Sequence, residues 1–154
     1  MRVHLGSDHA GFELKQVVAR RLVELGHEPV DHGPGEYDAA DDYPPYVLRA
    51  AQGVAGDPGS LGVVLGGSGN GEAIAANKVQ GVRCALAWSR QTAALAREHN
   101  DANVVSLGAR MHDEQAALEL LEVFVSTDYS GEPRHSRRIE MLSAYERSGV
   151  LPPV

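Results

Sequence analysis

The sequence predicts a three-layer α/β/α sandwich around a five-stranded parallel sheet. Short apolar runs that are typical of buried strands alternate along the chain with longer segments whose apolar residues recur at helical spacing. One of these runs, residues 63–65, leads directly into a cluster of glycines, as strand ends in such folds often do. The length of 154 residues suffices for one domain with a substantial core. We therefore expect a single domain over residues 1–154, with residues 149–154 as an extended tail.

Each element follows from a local pattern. The first helix is indicated by Leu14, Val18 and Leu22 at helical spacing, and it should end at Gly26. A polar loop that ends in two prolines precedes the second helix, which we expect to resume at Tyr46. The predicted strands cover residues 2–6, 28–31, 63–65, 82–88 and 103–108, and the later helices residues 72–78, 91–100, 113–125 and part of 128–149. This alternation is typical of a Rossmann-like fold.

The composition excludes several classes of function. A formal net charge of −7 argues against a nucleic-acid or anionic-membrane partner, because both are bound by basic surfaces. Cys84 is the only cysteine, so no intrachain disulfide can form, and its place in an apolar run predicts core packing. We find no signal peptide and no apolar run of membrane-spanning length, and we therefore expect a cytoplasmic protein.

The most informative segment is the glycine turn, which we define as residues 66–71, GGSGNG. It follows a predicted buried strand and precedes a helix, the geometry that directs several backbone N–H groups at one anion. Its spacing fits neither the dinucleotide motif GxGxxG nor the ATPase phosphate loop, which needs Gly-Lys-Ser/Thr. A turn that merely allows close strand–helix packing is the alternative, and it explains four glycines poorly.

Glu72 directly follows the glycine turn and is the candidate general base. The helix dipole and nearby N–H groups favour its ionised form, whereas burial under a substrate opposes it. The sequence leaves open which effect dominates. A carboxylate that only stabilises the start of a helix is the alternative interpretation.

Polar residues also follow two other predicted strands. Asp8 and His9 come after the first strand, and Arg110 and His112 come after the fifth. Ligands of parallel sheets bind beyond the carboxyl ends of the strands, so we expect these residues and the glycine turn to line one crevice. Asp8 could instead serve as a cap for the first helix.

Further candidates lie near the ends of later helices. His99 and Asn100 could form a helix stop signal or part of a site. Arg134, His135 and Arg138 would normally form a solvated helix face, but arginine and histidine grouped in an acidic protein favour phosphate binding. The histidines show no metal-ligand spacing, so we expect neither a metal nor a cofactor.

Three separated motifs carry a resemblance to a known family. They are GSDHAGFELK at residues 6–15, GGSGNG with AANK at residues 66–71 and 75–78, and REHNDANVVSLG at residues 97–108. In this order they resemble ribose-5-phosphate isomerase type B, the sugar-phosphate isomerase family that also contains allose- and galactose-6-phosphate isomerases. The similarity runs from residue 1 to about residue 148.

The resemblance implies a sheet of strand order 2-1-3-5-4 and a homodimer, sometimes paired into a tetramer, with active sites at the subunit interface. It implies a sugar-phosphate substrate and metal-free interconversion of D-ribose 5-phosphate and D-ribulose 5-phosphate through a cis-enediolate. That reaction belongs to the non-oxidative pentose phosphate pathway. Many members place a cysteine base directly before the turn, where this chain has Gly66. The chain resembles instead a subgroup with a glutamate closing the loop, which here is Glu72.

The resemblance also implies roles for individual residues. Glu72 would be the base, and His99 would open the furanose ring with Asn100 nearby. A small hydroxyl is needed to move a proton between O1 and O2 of the substrate, which Ser68 could supply. Tyr43 could line the site. The implied substrate-binding residues are Asp8, His9, Gly67, Ser68, Gly69, Asn70, Gly71, Asn100, Arg110, Arg134, His135 and Arg138, contributed by both subunits.

Two alternatives remain open at this level. One is a phosphosugar- or nucleotide-binding module without catalysis, for which we would expect an anion-binding turn without a positioned base. The other keeps the chemistry and changes the substrate to a six-carbon sugar phosphate. The residues that would set the depth of the pocket cannot be identified from the sequence.

Overall fold

The computed structural model describes residues 1–153 and contains the predicted alternation of strands and helices. The strands are Arg2–Ser7 (β1), Glu28–Asp31 (β2), Leu61–Gly66 (β3), Cys84–Leu86 (β4) and Val104–Gly108 (β5). The helices are Phe12–Glu24 (α1), Pro44–Ala55 (α2), Asn70–Ala76 (α3), Arg90–Asn100 (α4), Glu114–Ser126 (α5) and Pro133–Ser148 (α6). Residues 150–153 carry neither helix nor strand, and Val154, the last residue of the predicted tail, lies outside the described residues.

Three boundaries differ from the prediction. Helix α2 begins at Pro44 and not at Tyr46, because a proline in the first turn lacks only an N–H that would have no intrahelical partner. Helix α3 begins at Asn70 and not at Glu72, because Gly69 adopts the N-cap position with φ of 81°. Strand β4 is shorter than predicted, because it lies at the edge of the sheet and pairs with β5 alone.

The five strands form one parallel sheet in the order β2-β1-β3-β5-β4, which confirms the expected fold and strand order. Strand β3 lies at its centre, with all six residues buried between β1 and β5. Strands β2 and β3 lie on opposite sides of β1, so the direction in which successive strands are added reverses at β1. Ligands of open α/β sheets bind at the carboxyl ends of the strands beside such a switch point.

Both faces of the sheet are covered by helices. Helices α1, α4 and α5 pack on one face, and α2 and α3 pack on the other. Helix α6 packs mainly against α4, and His135 is its only buried residue. The large apolar side chains of α6 are mostly exposed, with Leu142 at 62% and Tyr145 at 47% of their accessible surface. Within residues 1–153, no helix combines the length and the apolar character that crossing a membrane requires.

Candidate active site

The carboxyl ends of β1, β3 and β5 bring three predicted groups of residues together. Asp8 and His9 follow β1, the glycine turn follows β3, and Arg110 follows β5. The ends of β3 and β5 are linked directly, because the backbone N–H of Arg110 donates to the carbonyl of Gly67 at 3.0 Å. Strands β1, β3 and β5 are neighbours in the parallel sheet, so the residues that follow them lie along one edge.

Glu72 lies in the first turn of α3 and is buried, with 4% of its surface exposed. Its carboxylate occupies the space above Gly66, where a Cβ atom would lie 1.9 Å from Oε1 of Glu72. Burial raises the pKa of Glu72, and the charge of Asp8 raises it further, while backbone N–H groups of Glu72 and Gly69 act in the opposite direction. Burial is the largest of these effects, which answers the question that the sequence left open.

The glycine turn is fixed by the conformation of Gly69 and by a hydrogen bond from strand β5. Gly69 has φ of 81°, a left-handed conformation that residues with a Cβ rarely adopt. Its carbonyl accepts a hydrogen bond of 2.7 Å from Oγ of the buried Ser106 on β5. Ser68 is exposed on the turn, and its Oγ accepts hydrogen bonds from the backbone N–H and Nδ2 of Asn70 at 3.3 and 3.2 Å. The hydroxyl proton of Ser68 is therefore available to a ligand.

Arg110 places a cation beside the glycine turn. A Cβ atom on Gly67 would lie 3.5 Å from Nη1 of Arg110, so the guanidinium extends along the outer side of the turn. The residue is exposed, and no ion pair joins it to another residue within 1–153. An exposed arginine without an internal carboxylate partner can bind an anionic group such as a phosphate.

His9 is held by a residue that the sequence did not indicate, Asp41. Oδ1 of Asp41 accepts hydrogen bonds from the backbone N–H of His9 at 2.8 Å and from its ring Nδ1 at 2.9 Å. The hydrogen bond with Asp41 raises the pKa of His9, and the charge of Asp8 adds to this effect. Asp41 belongs to the irregular loop 32–43 after β2, which also ends at the carboxyl edge of the sheet. That position was the available signal for including this loop in the site.

Tyr43, from the same loop, also reaches the glycine turn. A Cβ atom on Gly71 would lie 2.8 Å from Cζ and 2.9 Å from the hydroxyl oxygen of Tyr43. The phenol ring therefore packs directly over the turn. This contact supports the interpretation that Tyr43 lines the site.

The second set of predicted residues lies at the opposite edge of the sheet. Helix α4 follows β4 and runs back to the amino end of β5, so His99 and Asn100 in its last turn lie at the amino edge. The start of α6 lies beside them, because the backbone N–H of Ser130 donates to the carbonyl of Glu98 at 3.1 Å. One chain therefore does not bring these residues together with Glu72. The residues at the amino edge are His99, Asn100, Arg134, His135 and Arg138.

His99 and His135 form the centre of this second set. Their ring centroids are 4.2 Å apart, and Nδ1 of the buried His135 lies 3.0 Å from Oγ of Ser130. Burial lowers the pKa of His135, and the neighbouring His99 lowers it further. Arg134 and Arg138 are exposed beside this pair. The amino edge thus combines a buried histidine, a half-buried histidine and exposed guanidinium groups.

Cys84 packs under α3 and does not present a reactive thiol. Burial raises its pKa to about 12, with a further contribution from the charge of Glu72. The side-chain amide of Asn77 donates to the backbone carbonyl of Cys84 and accepts from its backbone N–H, each at 2.9 Å. A thiol with this pKa is protonated at neutral pH, which supports the structural role predicted for it. Within residues 1–153, no three His, Cys, Asp or Glu side chains lie close enough together to hold a metal ion.

The fold and the carboxyl edge define a three-layer α/β protein with a glycine-rich turn and a buried carboxylate beside it. Comparison with known proteins identifies the family. Residues 3–142 match the family model described as Ribose/Galactose Isomerase. The chain belongs to this family, and the resemblance seen in its motifs is confirmed.

Individual relatives are similar over the whole chain. Ribose-5-phosphate isomerase B of Mycobacterium tuberculosis (strain ATCC 25618 / H37Rv) is 59% identical over 100% of this chain and 95% of that protein. The crystal structure of ribose-5-phosphate isomerase B from Mycoplasma genitalium with bound ribulose-5-phosphate is 36% identical, with a TM-score of 0.91 over 96% of this chain and 97% of that one. The type B ribose 5-phosphate isomerase of Trypanosoma cruzi is 42% identical, with a TM-score of 0.92 over 96% and 99% of the two chains.

Proposed function

We propose that the protein interconverts D-ribose 5-phosphate and D-ribulose 5-phosphate through a cis-enediolate, with Glu72 as the base, in the non-oxidative pentose phosphate pathway. The observation that carries the proposal is the buried carboxylate of Glu72 beside the glycine turn. The names of the relatives and the ribulose-5-phosphate bound to the Mycoplasma genitalium protein support the choice of substrate.

The chemistry follows from the groups at the carboxyl edge. Glu72 removes the proton from C2 and returns it to C1, so the base is regenerated in each turnover. Backbone N–H groups of residues 67–71 stabilise the negative charge that develops on the enediolate oxygens. Ser68 passes a proton between O1 and O2, which its exposed hydroxyl allows. Burial raises the pKa of Glu72, which makes it a stronger base than an ordinary carboxylate.

We infer that a second copy of the chain completes the site. His99 would open the furanose ring, and Arg134, His135 and Arg138 would bind the phosphate together with Arg110 of the first copy. Two observations support a homodimer: these residues lie at the edge of the sheet opposite Glu72, and the apolar side of α6 is exposed. Two such dimers could pair into a tetramer. The phosphate would supply remote binding energy that holds C1 and C2 against the base.

A mixing experiment tests the base and the shared site together. Glu72→Gln and His99→Asn should each be nearly inactive with ribose 5-phosphate. After the two variants are unfolded and refolded together, mixed dimers contain one intact site and one doubly substituted site. About a quarter of the wild-type activity should return if mixing is random. Two inactive variants that stay inactive when mixed, although mixed dimers form, would contradict the shared site.

Three further measurements address the alternatives and the role of His99. Wild-type protein should exchange the C2 proton of ribose 5-phosphate with D2O, whereas a module that only binds sugar phosphates would not. The family description also names galactose isomerases, so a six-carbon sugar phosphate is the alternative substrate to test. A comparison of kcat/KM for ribose 5-phosphate and allose 6-phosphate decides the substrate length, and we expect the five-carbon substrate to be preferred. His99→Asn should slow the furanose substrate more than an open-chain analogue.

A further inference from the structure

Loop 32–43 places the carboxylate of Asp41 against His9. Neither the sequence motifs nor the proposed mechanism assigns a role to Asp41. Asp41 has only 5% of its side chain exposed. Its Oδ1 accepts two hydrogen bonds, and both come from His9. Its Oδ2 is buried and has no hydrogen-bond partner among residues 1–153. Both hydrogen bonds of this carboxylate are therefore made with His9.

The two hydrogen bonds fix His9 in position and in tautomer. The bond to the backbone N–H holds the residue at the end of β1, and the bond to Nδ1 sets the orientation of the ring. Because a carboxylate only accepts hydrogen bonds, Nδ1 must carry a proton. Nε2 is then the ring nitrogen left for a ligand, and 27% of the His9 side chain is exposed.

The charges around His9 favour its cationic form. Asp41 faces the ring from loop 32–43, and Asp8 faces it from the end of β1. Both are carboxylates, and both raise the pKa of His9, the hydrogen bond to Asp41 most strongly. When the ring is protonated, Nε2–H becomes a charged donor at the crevice. When the ring is neutral, Nε2 becomes an acceptor and cannot donate to a sugar oxygen.

We propose that Asp41 is a positioning residue that acts through His9, holding its ring as an imidazolium whose Nε2–H donates to an oxygen of the sugar phosphate. This inference rests on the proposed function, because it assumes that a sugar phosphate occupies the crevice. Asp41 itself touches no substrate in this arrangement. Its effect is to extend the pH range over which His9 donates a charge-assisted hydrogen bond.

The test compares Asp41→Asn with Asp38→Asn. Asparagine at position 41 keeps a hydrogen-bond acceptor of the same shape but removes the negative charge. Asp38 is the control, because it is an exposed carboxylate in the same loop whose side chain accepts one hydrogen bond, from the backbone N–H of Ala40. In Asp41→Asn the pKa of His9, followed by NMR, should fall toward its ordinary value. KM of Asp41→Asn should begin to rise at a lower pH than KM of the wild type, with a smaller change in kcat. The difference should be largest, up to about tenfold, between the two pKa values of His9, as expected for one lost charge-assisted hydrogen bond, and it should close at alkaline pH, where both rings are neutral. Asp38→Asn should behave as the wild type.

A double-variant cycle separates this role from a structural one. Combined with His9→Asn, the substitution Asp41→Asn should cause little further change in KM, because its effect requires the ring. An unchanged titration of His9 in Asp41→Asn, or an equal effect in the His9→Asn background, would overturn the proposal. If Asp41→Asn does not fold, the wild-type titration decides, since a His9 pKa at or below its ordinary value contradicts the proposal. A wild type that binds ribose 5-phosphate without isomerising it refutes the proposed function, while the titration still tests the contact.

Discussion

The carboxylate of Glu72 occupies the position that a side chain at residue 66 would need. A Cβ atom on Gly66 would lie 1.9 Å from Oε1 and 2.1 Å from Cδ of Glu72, distances that no Cβ atom can adopt. A side chain at position 66 would therefore require the carboxylate of Glu72 to move from its present position. The place of this carboxylate gives a physical reason for the glycine at position 66.

Gly66→Ala should displace the carboxylate of Glu72 without unfolding the protein. A displacement of about 1 Å at the reacting centre costs on the order of 100-fold in kcat. Gly35→Ala is the matched control, because a Cβ atom on Gly35 would meet nothing within 4 Å. Steady-state kinetics with ribose 5-phosphate measure the effect. Equal kcat values for the two variants would show that Glu72 is not the base or that the turn adjusts freely.

Glu72→Gln should reduce kcat by about 10²–10⁴-fold, the usual contribution of a general base. It should also raise the thermal stability at neutral and alkaline pH. Burial raises the pKa of Glu72 in the folded state, so the folded protein loses stability as the pH rises through that pKa and the carboxylate becomes charged. Glutamine removes this penalty.

Differential scanning calorimetry from pH 4 to pH 8 tests this prediction. The Tm difference between Glu72→Gln and the wild type should grow as the pH rises. The acid limb of kcat/KM in the wild type should lie above the ordinary pKa of a glutamate, about 4.3, because the base must be deprotonated. A Tm difference that shrinks with rising pH would contradict the assigned direction.

Gly69→Ala should be more destabilising than Gly81→Ala. Both residues have left-handed φ values, 81° and 83°, so both substitutions carry the backbone cost of roughly 1–2 kcal/mol. Only at Gly69 would the Cβ atom also meet a side chain, 2.7 Å from Cδ1 of Leu86. The same Cβ atom would lie 3.1 Å from Oγ of Ser106 and 3.2 Å from the backbone carbonyl carbon of Leu107, and urea unfolding of the two variants measures the cost of these contacts together. Equal free energies of unfolding would mean that these neighbours move aside without cost.

Lys15→Met should lower the free energy of unfolding by about 1–3 kcal/mol, mainly through unpaired polar groups. Lys15 is fully buried, and its Nζ donates to both carboxylate oxygens of Asp31, at 2.7 and 2.9 Å, and to the carbonyl of Pro34 at 2.7 Å. Methionine preserves the packing but leaves that carbonyl unpaired.

The other lysine of the chain supplies the control for this substitution. Lys78 is exposed, and Lys78→Met should change the free energy of unfolding by less than about 0.5 kcal/mol. Similar values for the two lysine variants would show that the bonds of Lys15 contribute nothing net. Because Asp31 and Pro34 flank the start of loop 32–43, Lys15→Met should also weaken the hold of Asp41 on His9, visible as a lower pKa of His9 by NMR.

Periodicity and turn chemistry predicted the elements of the fold correctly, and they failed where local signals were weak. Strand β4 was predicted too long, because three of the four residues that flank it, Val82, Ala87 and Trp88, are apolar whether or not they pair with β5. The start of α2 was predicted too late, because prolines 44 and 45 are compatible with either a loop or a first helical turn. Asp41 was missed, since an irregular loop has no periodicity that would indicate which of its carboxylates points inward.

The sequence by itself determined the family, the alternation of strands and helices, and the glycine turn with Glu72 beside it, because these depend on local spacing and on motifs. Three features of the site depend on the tertiary structure and could not be predicted from the sequence. The clash above Gly66 and the burial of Glu72 depend on how α3 packs over β3. The hydrogen bonds of Asp41 to His9 join residues from separate elements. The placement of His99 at the opposite edge from Glu72 follows from the direction in which α4 runs across the sheet.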